Sequence, residues 1–160
     1  IVTLIFKIPT RGLIGFQSLF ATLTKGTGIF SNVFHDYEKS KGEIKIRKSG
    51  FLVSNEKGKA VAYAIWKLQD RGRFFISPGD DVYEGMIIGL NNKDNELNVN
   101  PIKTKQLTNV RASGKDDSIL LTPPVQITLE KAIEQIGNDD LIEITPKVIR
   151  LRKKTLLQNH

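Results

Sequence analysis

The chain has 160 residues, of which 39% are hydrophobic and 26% are charged, a composition typical of a folded globular protein. It contains no cysteine, which excludes disulfides and thiolate metal sites and suits a reducing, cytoplasmic compartment. Its formal net charge of +7 favours a nucleic acid as partner. A membrane is disfavoured, since no apolar run approaches the roughly 18 residues of a spanning helix.

The first forty residues predict a β-α-β unit. VTLIFKI (2–8) and GIFSNVFHDY (28–37) are rich in β-forming residues. Between them Thr10 caps a predicted helix over about residues 12–25, and four apolar residues at helical spacing predict its buried face: Leu13, Phe16, Phe20 and Leu23. Because Ile1 already lies in a strand-like stretch, we expect a part of a longer protein in which one strand presents an unpaired edge.

A polar connector over residues 38–49 predicts a domain boundary, which we place between residues 1–42 and residues 43–160. Thr128 caps a predicted helix near the end of the second part, in which Leu129, Ala132, Ile133 and Ile136 share a face. The predicted strands of this part are FLVS (51–54), AVAYAIW (60–66), RFFIS (73–77), DVYEGMIIG (81–89), SILL (118–121), LIEIT (141–145) and VIRLR (148–152).

Two further segments of the second part are less regular. Residues 64–72 are expected to contain a short helix, which Gly72 ends. Residues 91–118 predict a long polar loop, and loops longer than about 12–15 residues in compact domains are usually functional or disordered.

Motifs for catalysis and nucleotide binding are missing from the sequence. SGKDDS (113–118) lacks the glycine spacing and the hydroxyl residue of a phosphate loop, and NNKDN (91–95) places its Asp one residue too early for guanine recognition. The two histidines are His35 and His160, and although Asp36 follows the first, no nucleophile motif accompanies it. We therefore predict no enzyme activity, no metal and no cofactor in this chain.

Positive charge is concentrated in three clusters. The first comprises Lys39, Lys41, Lys45, Arg47 and Lys48, the second Lys103, Lys105, Arg111 and Lys115, and the third Lys147, Arg150, Arg152, Lys153 and Lys154. A charged run is often only a solvated face, so each cluster alone leaves an RNA site and an ordinary surface equally open. The second is the sharpest candidate, because its loop also holds hydroxyl, amide and backbone donors for phosphates and 2′-hydroxyls. Its lack of aromatic residues favours backbone or shape readout over base stacking.

The candidate RNA-binding residues are Lys103, Lys105, Thr108, Asn109, Arg111, Ser113, Lys115, Lys45, Arg47, Lys48, Arg150, Arg152 and Lys153. In the third cluster, Arg150 and Arg152 are predicted on one face of a strand, with Ile149 and Leu151 on the other. An ordinary exposed surface would have the same pattern.

Longer stretches carry a family resemblance through essentially the whole chain. They are IPTRGLIGF (8–16), TKGTGIF (24–30), FHDYEKSKGEI (34–44), AYAIWKLQDRGRFFI (62–76), PGDDVYEGMIIG (78–89), NPIKTKQLTNVRASG (100–114), LTPP (121–124) and TPKVIRLRKK (145–154). Together these stretches resemble the C-terminal part of the TypA/BipA translational GTPases.

The resemblance implies an α+β fold. Residues 1–42 would be the second half of a ferredoxin-like domain that parallels domain V of elongation factor G, a partial β-α-β unit. Residues 43–160 would be a family-specific, mostly β C-terminal domain with one or two helices. GTP and Mg would belong to an N-terminal G domain, so the whole protein is expected to be a GTPase although this part is not.

The resemblance also implies a function in translation. It predicts a cytoplasmic, ribosome-associated protein with roles in the stress response and large-subunit assembly, whose partners are rRNA and A-site tRNA rather than DNA or a membrane. The loop corresponding to residues 100–114 would reach the acceptor end of A-site tRNA. The alternative is a protein-interaction module that docks on a ribosomal protein through the strands of residues 61–90. This part is expected to be monomeric, with an edge strand able to pair in crystals.

Overall fold

The computed structural model describes residues 2–42, 44, 50–104 and 119–155. In these residues the helices are α1 (Phe16–Leu23), α2 (Ala62–Leu68) and α3 (Leu129–Gln135), with 3-10 turns at Thr10–Leu13 and Gln69–Arg71. The strands are β1 (Phe51–Ser54), β2 (Gly58–Lys59), β3 (Gly72–Phe74), β4 (Asp81–Val82), β5 (Met86–Asn91), β6 (Leu97–Val99), β7 (Asp140–Ile144) and β8 (Ile149–Lys153).

Six strands form a mixed sheet in the order β6-β1-β5-β8-β7, with β3 also paired to β5. β5 is the central strand, since β1 runs antiparallel along one edge while β3 and β8 pair with successive parts of the other. β6 runs parallel to β1, and β2 and β4 form a separate two-stranded ladder. The predicted α+β class with a mostly β second part is confirmed.

Alternation along the strands divides the core between the two faces of the sheet. On one face Leu52 and Ile88 pack with Ile65 of α2. On the other face Val53 packs in a second cluster that includes Ala132 of α3. The sheet is therefore covered by one helix on each side, and residues of both faces are almost completely buried.

The close approach of β3 to β5 depends on a glycine. A Cβ atom placed on Gly72 would lie 1.8 Å from the carbonyl oxygen of Leu90, a separation that no side chain can adopt. Gly72 is both the C-cap residue of the 3-10 turn that follows α2 and the first residue of β3.

The N-terminal prediction was only partly correct. The helix exists, but it is divided into the 3-10 turn and α1, and no strand forms among the described residues 2–42. The predicted burial of the helical stripe was wrong: Leu13, Phe16 and Phe20 are half-buried, and Leu23 is 70% exposed. A strand needs a neighbour for its ladder hydrogen bonds, and β-propensity alone provides none.

Aromatic contacts replace that sheet as the link between α1 and the following segment. Phe30 lies over the helix, with its ring centroid 5.6 Å from Phe16 and 6.0 Å from Phe20. Gly28 permits this approach, because a Cβ there would lie 2.5 Å from the ring of Phe20.

Three predictions in the second part also need correction. Residues 62–68 form α2 rather than a strand, because Ala64 and Ile65 bury one helical face while Trp66 remains exposed. β6 interrupts the predicted loop, and it could form because β1 offers it a parallel partner. Residues 119–121 are not in a strand. The predicted α3, β7 and β8 are confirmed.

Candidate nucleic-acid interface

The loop segment, defined as residues 100–118, leaves the fold from a firmly held start. Pro101 is fully buried, and its carbonyl oxygen accepts a hydrogen bond from the backbone N–H of Val61 at 3.0 Å. Ile102 packs against the core on the α2 side, and its N–H donates to the side chain of Asn100 at 3.0 Å. The next residues, Lys103 and Thr104, are exposed. The ammonium group of Lys103 is thus presented to solvent from an anchored backbone.

The chain returns from the loop segment along the C-terminal end of α2. Leu121 packs against the same core, whereas Leu120 before it is 79% exposed. The side chain of Gln69 bonds to the backbone on either side of Leu121. Its Nε2 donates to the carbonyl oxygen of Leu120 at 3.3 Å, and its Oε1 accepts from the N–H of Thr122 at 3.2 Å. Further on, Val125 N–H donates to the carbonyl oxygen of Phe74 at 2.8 Å.

Two basic residues of the third cluster form ion pairs with carboxylates of the chain. Lys153 pairs with Asp140 at 2.6 Å and also with Glu96. Arg152 pairs with Glu143, with 2.7 Å between Nε and Oε1. Their charges are therefore balanced by carboxylates of the chain itself.

The arrangement around Glu143 extends to Tyr83, whose hydroxyl donates to Oε2 at 2.5 Å. Burial of the phenol is the main reason why the pKa of Tyr83 is raised, and the hydrogen bond and negative charge of Glu143 add to it. The pKa of Lys153 is also raised. Burial lowers it, but the hydrogen bonds and charges of Asp140 and Glu96 outweigh that effect.

The rest of the third cluster is more available. The guanidinium of Arg150 has no hydrogen-bond or ion-pair partner among the described residues, and Lys147 and Lys154 are exposed. Arg150 follows the predicted face, since Ile149 and Leu151 beside it pack into the core on the α3 side.

The first cluster is described only in part. Lys7 pairs with Glu38, and Lys41 lies 3.1 Å from the same carboxylate. The hydrogen bonds and positive charges of these two ammonium groups lower the pKa of Glu38 to about 2. Lys39 is exposed. The candidate residues outside the described part of the chain are Lys45, Arg47, Lys48, Lys105, Thr108, Asn109, Arg111, Ser113 and Lys115. Their predicted role in RNA binding therefore stays a prediction.

Two cavities lie in the described part of the chain. One of about 310 Å³ lies against β5 and β8, with Asp80, Asp81 and Arg150 in its lining. A smaller one is bordered by Asp140 and Lys153, the ion pair above. The described residues contain no cluster of His, Cys, Asp and Glu suited to a metal ion. None of the helices placed in them has the length and apolar character needed to cross a membrane.

Comparison with known proteins matches two successive parts of the chain. A sequence profile of the TypA/BipA C-terminal domain matches residues 49–158, the part that contains the whole sheet. The chain belongs to the TypA/BipA family. A profile of the elongation factor G C-terminus matches residues 1–48, which contain α1.

Curated relatives agree with this family membership. The large ribosomal subunit assembly factor BipA of Escherichia coli strain K12 is 50% identical over 159 residues, which is 99% of this chain. The proteins of the same name from Haemophilus influenzae and Buchnera aphidicola are 52% and 50% identical, over 99% and 96% of the chain. The chain spans 26% of the length of each of these relatives.

Sequence reasoning missed Gln69 entirely. Nothing in the local pattern around it indicates that its amide meets residues that follow it by more than fifty positions in the chain, at Leu120 and Thr122. The short helix expected within residues 64–72 is present, because α2 and the 3-10 turn after it end at Gly72, whereas the strand predicted over residues 60–66 is not.

Proposed function

We propose that this chain is the ribosome-binding C-terminal region of a translational GTPase that acts in large-subunit assembly and the stress response in the cytoplasm. Its loop segment contacts rRNA and the acceptor end of A-site tRNA. GTP binding and hydrolysis, with Mg²⁺, belong to a separate G domain of the whole protein. Family membership and the name of the curated relatives support the ribosome as the partner.

The observation that carries the proposal is the presentation of Lys103. It is an exposed cation that comes directly after the buried Pro101 and the packed Ile102. A cation on a fixed backbone loses less conformational freedom when it meets a phosphate than one on a loose chain. The sequence then adds Lys105, Arg111 and Lys115, so the loop segment has the charge that phosphate contacts require.

The third cluster has a smaller role in this proposal. Arg152 and Lys153 already face carboxylates, and a phosphate would have to compete with Glu143 and Asp140 for them. Arg150, whose guanidinium is free among the described residues, is the better RNA contact of this cluster.

Site-specific crosslinking to ribosomes tests the proposal. A photoreactive residue replaces Lys103 in one variant and Lys131 in a control, because Lys131 is also exposed but lies on α3, on the opposite face of the sheet. We expect crosslinks to rRNA or tRNA from position 103 and not from position 131. Equal RNA crosslinks from both positions, or none from position 103, would contradict the proposal.

The alternative, docking on a ribosomal protein through residues 61–90, has one observation in its favour. Trp66 is 43% exposed, and its ring lies 6.1 Å from that of Tyr63 on the outer surface of α2. The strands of this range are less suitable, because β5 is buried between its neighbours. Crosslinks to a ribosomal protein from position 66, with none to RNA from position 103, would favour this alternative.

A further inference from the structure

We infer that α2 positions both ends of the loop segment, and that Gln69 is the residue that fixes its returning end. The inference rests on the proposed function, because the position of the segment matters only if the segment contacts RNA. It assigns a role to a residue that carries no charge and that no sequence motif identifies.

The two ends of the loop segment meet opposite ends of the same helix. Val61, the N-cap residue of α2, donates its N–H to Pro101 at the outgoing end. Gln69, the C-cap residue of α2, bonds Leu120 and Thr122 at the returning end. At a rise of about 1.5 Å per residue, the caps are separated by about 12 Å along the helix axis. The length of α2 thus sets the distance between the two contacts.

The contact at the returning end resembles the pairing of neighbouring strands. The Gln69 amide donates to the carbonyl oxygen of Leu120 and accepts from the N–H of Thr122, as an adjacent backbone would. Leu121, between them, turns its side chain into the core. A side-chain amide, which only Gln and Asn have, supplies both the donor and the acceptor of this pair of bonds. Asn is shorter by one methylene group.

Fixing both ends in advance affects affinity more than stability. The two hydrogen bonds of Gln69 are exposed, so each contributes little to folding. When RNA binds, however, ends that are already placed reduce the conformational entropy that binding must remove. Loss of the two hydrogen bonds of Gln69 should therefore weaken RNA binding while leaving the midpoint of thermal unfolding nearly unchanged.

Hydrogen exchange tests the hydrogen bond between Gln69 and Thr122 without ribosomes. In Gln69→Ala the amide proton of Thr122 loses its acceptor, and we expect it to exchange about tenfold faster. Gln69→Glu keeps an acceptor oxygen and should retain most of the protection, and Gln126→Ala, at an exposed position, is the control. Unchanged exchange of Thr122 in Gln69→Ala would overturn the inference whatever the function of the loop segment.

A double-mutant cycle on ribosomes tests the role in binding. The other variant, here called the loop variant, replaces Lys103, Lys105, Arg111 and Lys115 with Ala. We expect Gln69→Ala to weaken ribosome affinity about fivefold in the natural chain and to have no further effect in the loop variant, since both act through the same segment. An equal loss in both backgrounds would show general destabilisation and overturn the inference.

The remaining outcomes separate the inference from the proposed function. If the loop variant binds weakly while Gln69→Ala binds normally, the inference fails and the proposed function stands. If the loop variant binds ribosomes with natural affinity, the proposed function fails, and the inference about RNA positioning fails with it.

Discussion

Lys153 on β8 and Asp140 on β7 form an ion pair across the edge of the sheet, with 2.6 Å between Nζ and Oδ1. The side chain of Asp140 is 4% exposed and that of Lys153 is 16% exposed, so the pair is largely shielded from water. Asp140 also accepts the N–H of Gly137 through its other oxygen at 2.6 Å. The pair therefore joins the turn after α3 to the last strand, and we interpret Lys153 first as a structural residue.

Replacement of Lys153 with Met should lower the free energy of unfolding by about 2–3 kcal/mol, because it leaves the buried carboxylate of Asp140 without its counter-charge. Lys154→Met is the matched control, since Lys154 is exposed and exposed changes usually stay within about 0.5 kcal/mol. Urea denaturation measures both. Equal stabilities for the two variants would show that the pair is not important for folding.

Stability should fall at alkaline pH through two groups. The folded-state pKa values of Lys153 and Tyr83 are both raised, so the stabilisation is complete below their unfolded values and is lost as pH rises above about 10. Tyr83→Phe removes one of these groups and should therefore lose less stability between about pH 8 and about pH 11. Denaturation at both pH values provides the comparison. An identical loss in Tyr83→Phe would contradict the assignment for Tyr83.

Thr128→Ala should destabilise the protein by about 1 kcal/mol, because Thr128 Oγ1 accepts the N–H of Lys131 at 3.3 Å and caps α3. Thr128→Ser keeps this oxygen and is expected to stay close to the natural stability. The difference in denaturation midpoint between the two variants measures the cap. Equal losses in both would attribute the effect to the methyl group rather than to the hydrogen bond.

A shorter chain of residues 50–160 should fold alone, because the buried core residues of the described part lie between Phe51 and Leu151. Ser18 of α1 donates to Glu134 of α3 at 3.2 Å, but this hydrogen bond is exposed and contributes little. We expect the midpoint of thermal unfolding to match that of the full chain within a few degrees. A shorter chain that does not unfold cooperatively would show that α1 is required for the sheet to form.

The sequence was sufficient where the signal is local. The Thr128 cap and the periodic residues after it predicted α3, and the alternation around Leu151 predicted β8. The signal was ambiguous for residues 60–66, since a short apolar run fits a strand and a buried helix equally well. It failed for β6, whose three residues form a strand only because β1 lies beside them in the fold.

The candidate site shows the same division. The density of basic residues is visible in the sequence, but their pairing is not. Arg152 and Lys153 were both predicted as RNA-binding residues, and in the structure each has a carboxylate partner on β7. Gln69 was not predicted as a functional residue. Its proposed role depends on its contact with Thr122, which lies far away in the sequence, and no local pattern encodes that contact.

The salt dependence of ribosome affinity tests whether the loop segment contacts ribosomal RNA. The loop variant lowers the formal charge by four, as does a control variant with Ala at the exposed residues Lys67, Arg73, Lys93 and Lys131. We expect the loop variant to bind more weakly, with a log–log salt slope shallower by roughly 0.7–0.9 for each phosphate that the protein no longer neutralises, while the control changes little. Wild-type affinity and slope in the loop variant would contradict the account, and the basic residues around Arg150 would become the better candidates.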